Sequence, residues 1–275
     1  MKNYPGLVTK AVAGMLMVIS FFSCNKEMSD SDSLSVVPAG KNELKVMLTD
    51  DPSLIFDSIF IDLQALEVKV ERADGSEHWD TLNIRAGVYN ILRLRDGVDT
   101  LLGIGYVPDG RIEKIRLTLG NNNSVMKNGV SFPLQLHNND HHVVVNIDHD
   151  VDETDNDHFR LWLDFDGHQS IIRLHHNEFE LRPKIGHFSH NHSGEIEGKI
   201  RPSAAFPVIV AVVSGSDTLV AIPDNDDGEF KIRGIRSSSV KIIITPSNGY
   251  KDSVINNVPI RRGDDTQLGS IILHK

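Results

Sequence analysis

From Glu43 to the end of the chain, apolar and polar residues alternate with a period of two and show almost no helical period. ELKVMLTD, residues 43–50, predicts a strand that Asp51-Pro52 stops as a turn. In SIFIDLQALEVKVER the apolar positions are Ile59, Ile61 and Leu63, then Leu66, Val68 and Val70. The phase slips by one residue near Ala65, and a β-bulge there would return the second set to the inward face. Ala73-Asp74-Gly75-Ser76 predicts a hairpin turn, after which HWDTLNI returns. Further strands are predicted for GVYNILRL, KIRLTLG, GVSFPLQL, HVVVNID, FRLWLDFD, QSIIRLHH and EFELRPKI. Turn chemistry separates several of them, at Asn121-Asn122-Asn123, Asn128-Gly129 and Pro108-Asp109-Gly110. The one helix candidate is GVDTLLGIGYV, residues 97–107, which is short and interrupted by glycines.

The pattern restarts at Gly194. EIEGKI, FPVIVAVV, DTLVAIP, EFKIRGI, SVKIIITP, NVPIRRG and QLGSIILHK predict seven strands, with Asp227-Gly228 as a tight hairpin turn. The fold class expected is therefore all-β, with two tandem β-sandwich-like domains. A length of 275 residues is comfortable for two such cores. Between them, HFSHNHSG carries Gly, Ser, Asn and His with no apolar period and reads as a short hinge. The expected boundaries are residues 43–186 for the first domain, 187–193 for the linker and 194–275 for the second.

The N-terminus differs in kind. Lys2 and Lys10 precede the apolar run Ala11–Phe22, which is too short for the roughly 20 residues that cross a bilayer and fits a signal peptide over residues 1–23. The run ends at Cys24, the single cysteine, so no disulfide can form within the chain. The Ser- and Asp-rich stretch that follows reads as a flexible tether, residues 24–42. The whole chain carries a net charge of −10, and loss of Lys2 and Lys10 with the leader makes the remainder more acidic still. Such a body does not suit a nucleic-acid partner, and at a membrane it must be held by lipid rather than by charge.

Phe21-Phe22-Ser23-Cys24 resembles a bacterial lipobox, which implies fatty acylation (palmitate) of Cys24 as the mature N-terminus. Asn25 is not the Asp that resembles an inner-membrane retention signal, so an outer-membrane, surface-exposed address is expected. KVMLTDDP (45–52), FIDLQALEVKV (60–70), LDFDGHQSI (163–171) and FELRPKI (179–185) resemble a bacterial lipoprotein domain of unknown function, family four-three-eight-two. GEIEGKI, DNDDGEFKIRGI, IITPSNGYKDSVI and LGSIILHK resemble the carboxypeptidase regulatory-like module. That resemblance implies a seven-stranded transthyretin-like sandwich that contributes no catalytic residues.

Candidate chemistry is sparse. In LWLDFDGH, alternation puts Trp162, Asp164, Asp166 and His168 on the face opposite Leu161, Leu163 and Phe165. Asp164, Asp166 and His168 form the best candidate metal site, but a half-buried strand is expected to have a solvated polar face in any case. DHDVDETDNDH, residues 148–158, has acids where a calcium loop needs its first three ligands, but Glu153 replaces the required Gly and Phe159 the bidentate Glu. PDNDDGEF fails the same test. Eleven of the thirteen histidines lie between His137 and His192, at irregular spacings that match no zinc motif. No GxSxG, P-loop or dinucleotide fingerprint is present, so neither an enzyme nor a cofactor is expected. The function expected is a lipid-anchored binding, adhesive or assembly module of the envelope, with a protein or carbohydrate ligand. The alternative is a divalent-cation-binding lipoprotein using the His- and Asp-rich segment.

Overall fold

The computed structural model describes residues 37–275 except 53–54, 151–157, 176 and 215–216. The leader, Cys24 and most of the tether therefore lie outside the described residues, as does most of the acidic run 148–158. The first domain contains β1 (Lys41–Asp51), β2 (Ser58–Glu71), β3 (Glu77–Thr81), β4 (Asn83–Ile84), β5 (Gly87–Asn90), β6 (Thr100–Pro108) and β7 (Arg111–Leu119). It continues with β8 (Ser124–Lys127), β9 (Val130–Leu136), β10 (His142–Asp150), β11 (His158–Asp166), the one-turn helix α1 (Gly167–Ser170), β12 (Ile171–His175), β13 (Glu178–Leu181) and β14 (Ile185–Phe188). One sheet runs β14-β11-β1-β6-β4. A second runs β10-β7-β2-β8-β9-β13-β12, with β3 and β5 also paired to β2.

The two sheets share one apolar core. Leu44, Val46 and Leu48 of β1 and Leu161, Leu163 and Phe165 of β11 are fully buried against residues of β2 and β7. The expected bulge in β2 is present: its register against β7 shifts between Leu63 and Ala65, and Ile59, Ile61, Leu63, Leu66, Val68 and Val70 are all fully buried. One extra residue keeps both halves of the strand facing inward.

Among the described residues the second domain contains seven strands, β15 (Gly194–Arg201), β16 (Val208–Ser214), β17 (Asp217–Ala221), β18 (Glu229–Ile235), β19 (Ser239–Thr245), β20 (Ser253–Pro259) and β21 (Asp265–Ile272). They form sheets β18-β15-β21 and β17-β16-β19-β20, which enclose a separate core of Ile196, Ile200, Phe230, Ile232, Ile242 and Ile244 among others. The all-β, tandem-sandwich class holds.

Two expectations fail locally. Residues 97–107 are not helical, because β6 takes most of them. Gly103 and Gly105 serve close packing there: a Cβ on Gly103 would lie 2.6 Å from Leu66 Cδ2, and one on Gly105 would lie 2.7 Å from Leu82 Cδ2. The linker also differs. His187 and Phe188 end β14, which pairs with β11, and His190–His192 form a 3-10 turn. Ser189 and Ser193 are buried, and the Ser193 hydroxyl donates to the Ser189 carbonyl at 2.8 Å. Gly263 N donates to the His190 and Ser193 carbonyls, so the segment is pinned to the second domain and is not an open hinge.

Candidate functional site

β1 and β11 run parallel, with Met47 opposite Trp162, Thr49 opposite Asp164 and Asp51 opposite Asp166. The LTD and DFD elements are thus neighbours in one sheet, and their inward residues fill the core. Their other face was expected to meet solvent, but most of it does not. Trp162 is buried and stacks on Phe188, with ring centroids 5.5 Å apart and planes 3° from parallel. Its indole Nε1 donates to Asp99 Oδ2 at 2.7 Å, and Arg233 Nη1 of β18 donates to the same oxygen at 2.7 Å. This face is the seam on which the C-terminal sandwich docks.

The seam depends on the loop before β6, residues 94–99, and the LTD element holds that loop. The Thr49 hydroxyl lies 2.9 Å from the Leu94 carbonyl oxygen and 3.0 Å from that of Val98, while Asp50 N donates to Leu94 O at 3.1 Å. The buried Asp50 carboxylate accepts from Gly167 N at 3.2 Å, which ties β1 to the DFDG turn. At the loop's tip Asp96 and Gly97 both have positive φ, 57° and 84°. Gly97 also sits so close to the second domain that a Cβ would lie 2.7 Å from Lys231 Cδ. Asp96 Oδ1 accepts from the backbone N of Ile222 at 3.0 Å. Burial raises the Asp96 pKa to about 6, against the lowering effects of the Ile222 N–H and Arg95, while Asp224 adds to the rise.

Beside this loop the seam opens into a cleft of about 990 Å³. One wall carries Leu92, Arg93, Arg95 and Asp96, and the other is the outer face of β15, β18 and β21. On that face the charges complement one another across the strands: Glu197 is paired with Lys231 and Lys199 with Glu229 in the antiparallel register. Lys199 Nζ lies 2.9 Å from Glu229 Oε1, and Lys231 Nζ lies 2.6 Å from Glu197 Oε1. Burial opposes the charge on Lys231, but Glu195 and Glu197 outweigh it and hold the ammonium above its usual range. The same ammonium holds Glu197 below the usual carboxylate range, with help from Gln267.

The residues singled out from sequence are not brought together as metal ligands. Asp164 is half-buried and borders a small gap at the seam with Thr49 and Arg233. Asp166 caps α1, its Oδ1 accepting from Gln169 N at 2.7 Å, and His168 is exposed on that turn. Among the described residues, the group whose ligand atoms do converge is Glu195, Glu197 and Asp265, within 4.8 Å of one another. Lys231 already supplies the cation there, through Glu195 and Glu197. The histidines take separate partners: His137 meets Glu180, His141 the Leu119 carbonyl and His192 the Ser189 hydroxyl. Asp96, Asp99 and Arg233, which make the seam, were missed. The complementary charge order of EIEGK and EFKIR signals only that β15 and β18 pair antiparallel, and no local pattern marks the seam residues.

Residues 41–183 match the family described as Domain of unknown function (DUF4382). No curated protein matches the chain. Among solved structures, a candidate adhesin from Bacteroides ovatus is 11% identical, with 86% of this chain and 93% of that chain covered and a TM-score of 0.23. The fimbrial anchor protein Mfa2 from Porphyromonas gingivalis is 8% identical, with 84% and 91% covered and a TM-score of 0.22. Likeness at these scores carries no argument about fold or function.

Proposed function

This chain belongs to the family described as Domain of unknown function (DUF4382), and from that premise we propose that it is a non-catalytic, lipid-anchored protein of the cell envelope. Its role in this reading is that of a binding, adhesive or assembly module. The observation that carries the non-catalytic part is how the motif side chains are used. Thr49 grips the 94–99 loop, Asp50 holds Gly167, Asp166 caps α1, and Asp99 joins Trp162 to Arg233. These groups build a scaffold that docks one sandwich on another, and the second sandwich resembles an accessory module. The anchor rests on the apolar run that ends at Cys24. Among the described residues no helix is long and apolar enough to cross a membrane. Several acyl chains at about 0.8 kcal/mol per buried methylene would give stable attachment where one chain would give only reversible binding.

Cells expressing the chain and fed an alkyne analogue of palmitate should yield a labelled protein in the membrane fraction. Cys24→Ser should abolish the label and leave a longer precursor. Equal labelling of the variant would remove the anchor from this reading.

A further inference from the structure

Phe206 combines features that seldom coincide. Its backbone lies in the left-handed region, at φ 44° and ψ 59°, which is sterically unfavourable for a bulky side chain. The residue is 53% exposed. It also borders a cavity of about 250 Å³ whose walls include Pro207, Ile222 and Pro223 and, from the first domain, Arg95. Strained residues of this kind persist where their surroundings over-determine them, and they cluster at ligand sites. Here the surroundings do so. Phe206 N donates to Ser203 O at 3.0 Å, Ser247 N donates to Ala205 O at 2.8 Å, and Asn248 Nδ2 donates to Ala204 O at 2.8 Å.

The ligand class follows from the lining. The electron-rich face of an exposed aromatic ring attracts the polarised C–H groups of a sugar ring. Flat polar side chains then bind the hydroxyls, and Arg95, Asp224 and Asn225 bring a guanidinium, a carboxylate and a carboxamide to the same cavity. Asp224 is held in place by Asp226 N, which donates to its Oδ1 at 2.7 Å. The volume is just below the range of about 300–1,000 Å³ that suits drug-sized ligands, and so suits a single ring. Arg95 and Asp224 also line the larger cleft, so the cavity adjoins a groove with room for further rings. Bases and acids in that groove nearly balance and pair with one another, as Lys199 does with Glu229, so a strongly charged ligand gains little there.

We propose that this groove binds a neutral oligosaccharide, with Phe206 as the stacking platform and Arg95, Asp224 and Asn225 as the hydrogen-bonding groups. The site is composite, because Arg95 reaches it only when the two sandwiches are docked. The inference rests on the reading of a binding module but not on the lipid anchor.

The test uses the full chain in a detergent without a sugar headgroup, applied to an array of neutral and acidic oligosaccharides. Calorimetry then follows with the neutral glycan best retained. Neutral glycans should be retained, Phe206→Trp should keep binding, and Phe206→Gly should weaken it by about tenfold or more. Because glycine adopts positive φ freely, Phe206→Gly should melt no lower than the parent, which separates lost binding from lost folding. Retention of no neutral glycan, retention of acidic glycans alone, or unchanged affinity in Phe206→Gly would overturn the proposal. A chain that carries the fatty-acid label yet retains no glycan sinks the sugar site alone. A chain without the label sinks the anchored module and leaves the array to decide the sugar.

Discussion

Asp96 brings a carboxylate into a place where burial disfavours its charge, and the consequence is a pH dependence with a definite sign. Its folded pKa of about 6 lies above the ordinary value of 3.8. The folded state therefore holds the proton more tightly than the unfolded one. The stability this contributes is full below about pH 3.8 and is lost as pH rises through about 6. Arg95 and the Ile222 N–H face the carboxylate and temper the effect, while Asp224 strengthens it. Asp96→Asn keeps an acceptor for Ile222 N and removes the charge. The variant should be more stable than the parent at pH 7.5, by on the order of 1–3 kcal/mol, since each decade in proton affinity is worth about 1.4 kcal/mol. The advantage should shrink towards zero near pH 4. Melting curves that differ by a constant amount from pH 4 to pH 8 would contradict the burial account.

Strands are legible where alternation is driven by one buried face, and β2 is the clearest case. The phase slip at Ala65 predicted a bulge because Leu66, Val68 and Val70 would otherwise point to solvent, and the register shift lies there. β6 was obscured by its glycines. Read in one dimension, Gly103 and Gly105 interrupt a helix; in three dimensions they make room for Leu66 and Leu82, which are distant in sequence. β8 and β14 have only four residues each, too few to establish a period. The seam was hidden for a related reason: Asp99 and Arg233 are 134 residues apart, and nothing local marks either as the other's partner. Even the solvated face expected for β11 was a sound inference for an isolated domain. It failed because a second domain covers the strand. The packing of β6 can be tested directly. A valine at Gly103 would push Cβ against Leu66 Cδ2 and the Asn83 carbonyl, 2.6 and 3.2 Å away. Gly103→Val should lower stability by about 1–3 kcal/mol in urea unfolding, the usual cost of overpacking. An unchanged midpoint would mean that β6 does not pack as described.

At the scale of the whole molecule, the two cores behave as separate apolar bodies joined by a polar and aromatic seam. The described residues belong to one compact unit. The joint between the domains is fixed on both sides, by β14 on β11 and by Gly263 on the 190–193 turn. Proteases need a backbone that can detach and extend through their cleft, and here His187 and Phe188 are paired in a sheet while His190–His192 are held in a hydrogen-bonded turn. Limited proteolysis of the native chain should therefore spare residues 187–194. Early cleavage there, with release of two folded fragments, would restore the hinge. Trp162→Ala removes the stack on Phe188 and leaves Asp99 to Arg233 alone. It should expose the joint to cleavage before either core unfolds.

The position of β1 also decides how the molecule carries mechanical load. Lys41 begins the strand, and Thr49 and Asp50 near its other end hold the loop that grips the second sandwich. Eleven residues at about 3.3 Å each separate the two ends by roughly 35 Å. In the proposed anchored, ligand-binding reading, tension between the N-terminal side and a ligand on the C-terminal sandwich would run along the strand axis. β1 is flanked on both sides, by β11 in parallel and β6 antiparallel. Two full ladders of hydrogen bonds must then slide at once under such a pull, whereas a strand peeled from a sheet edge gives way one bond at a time.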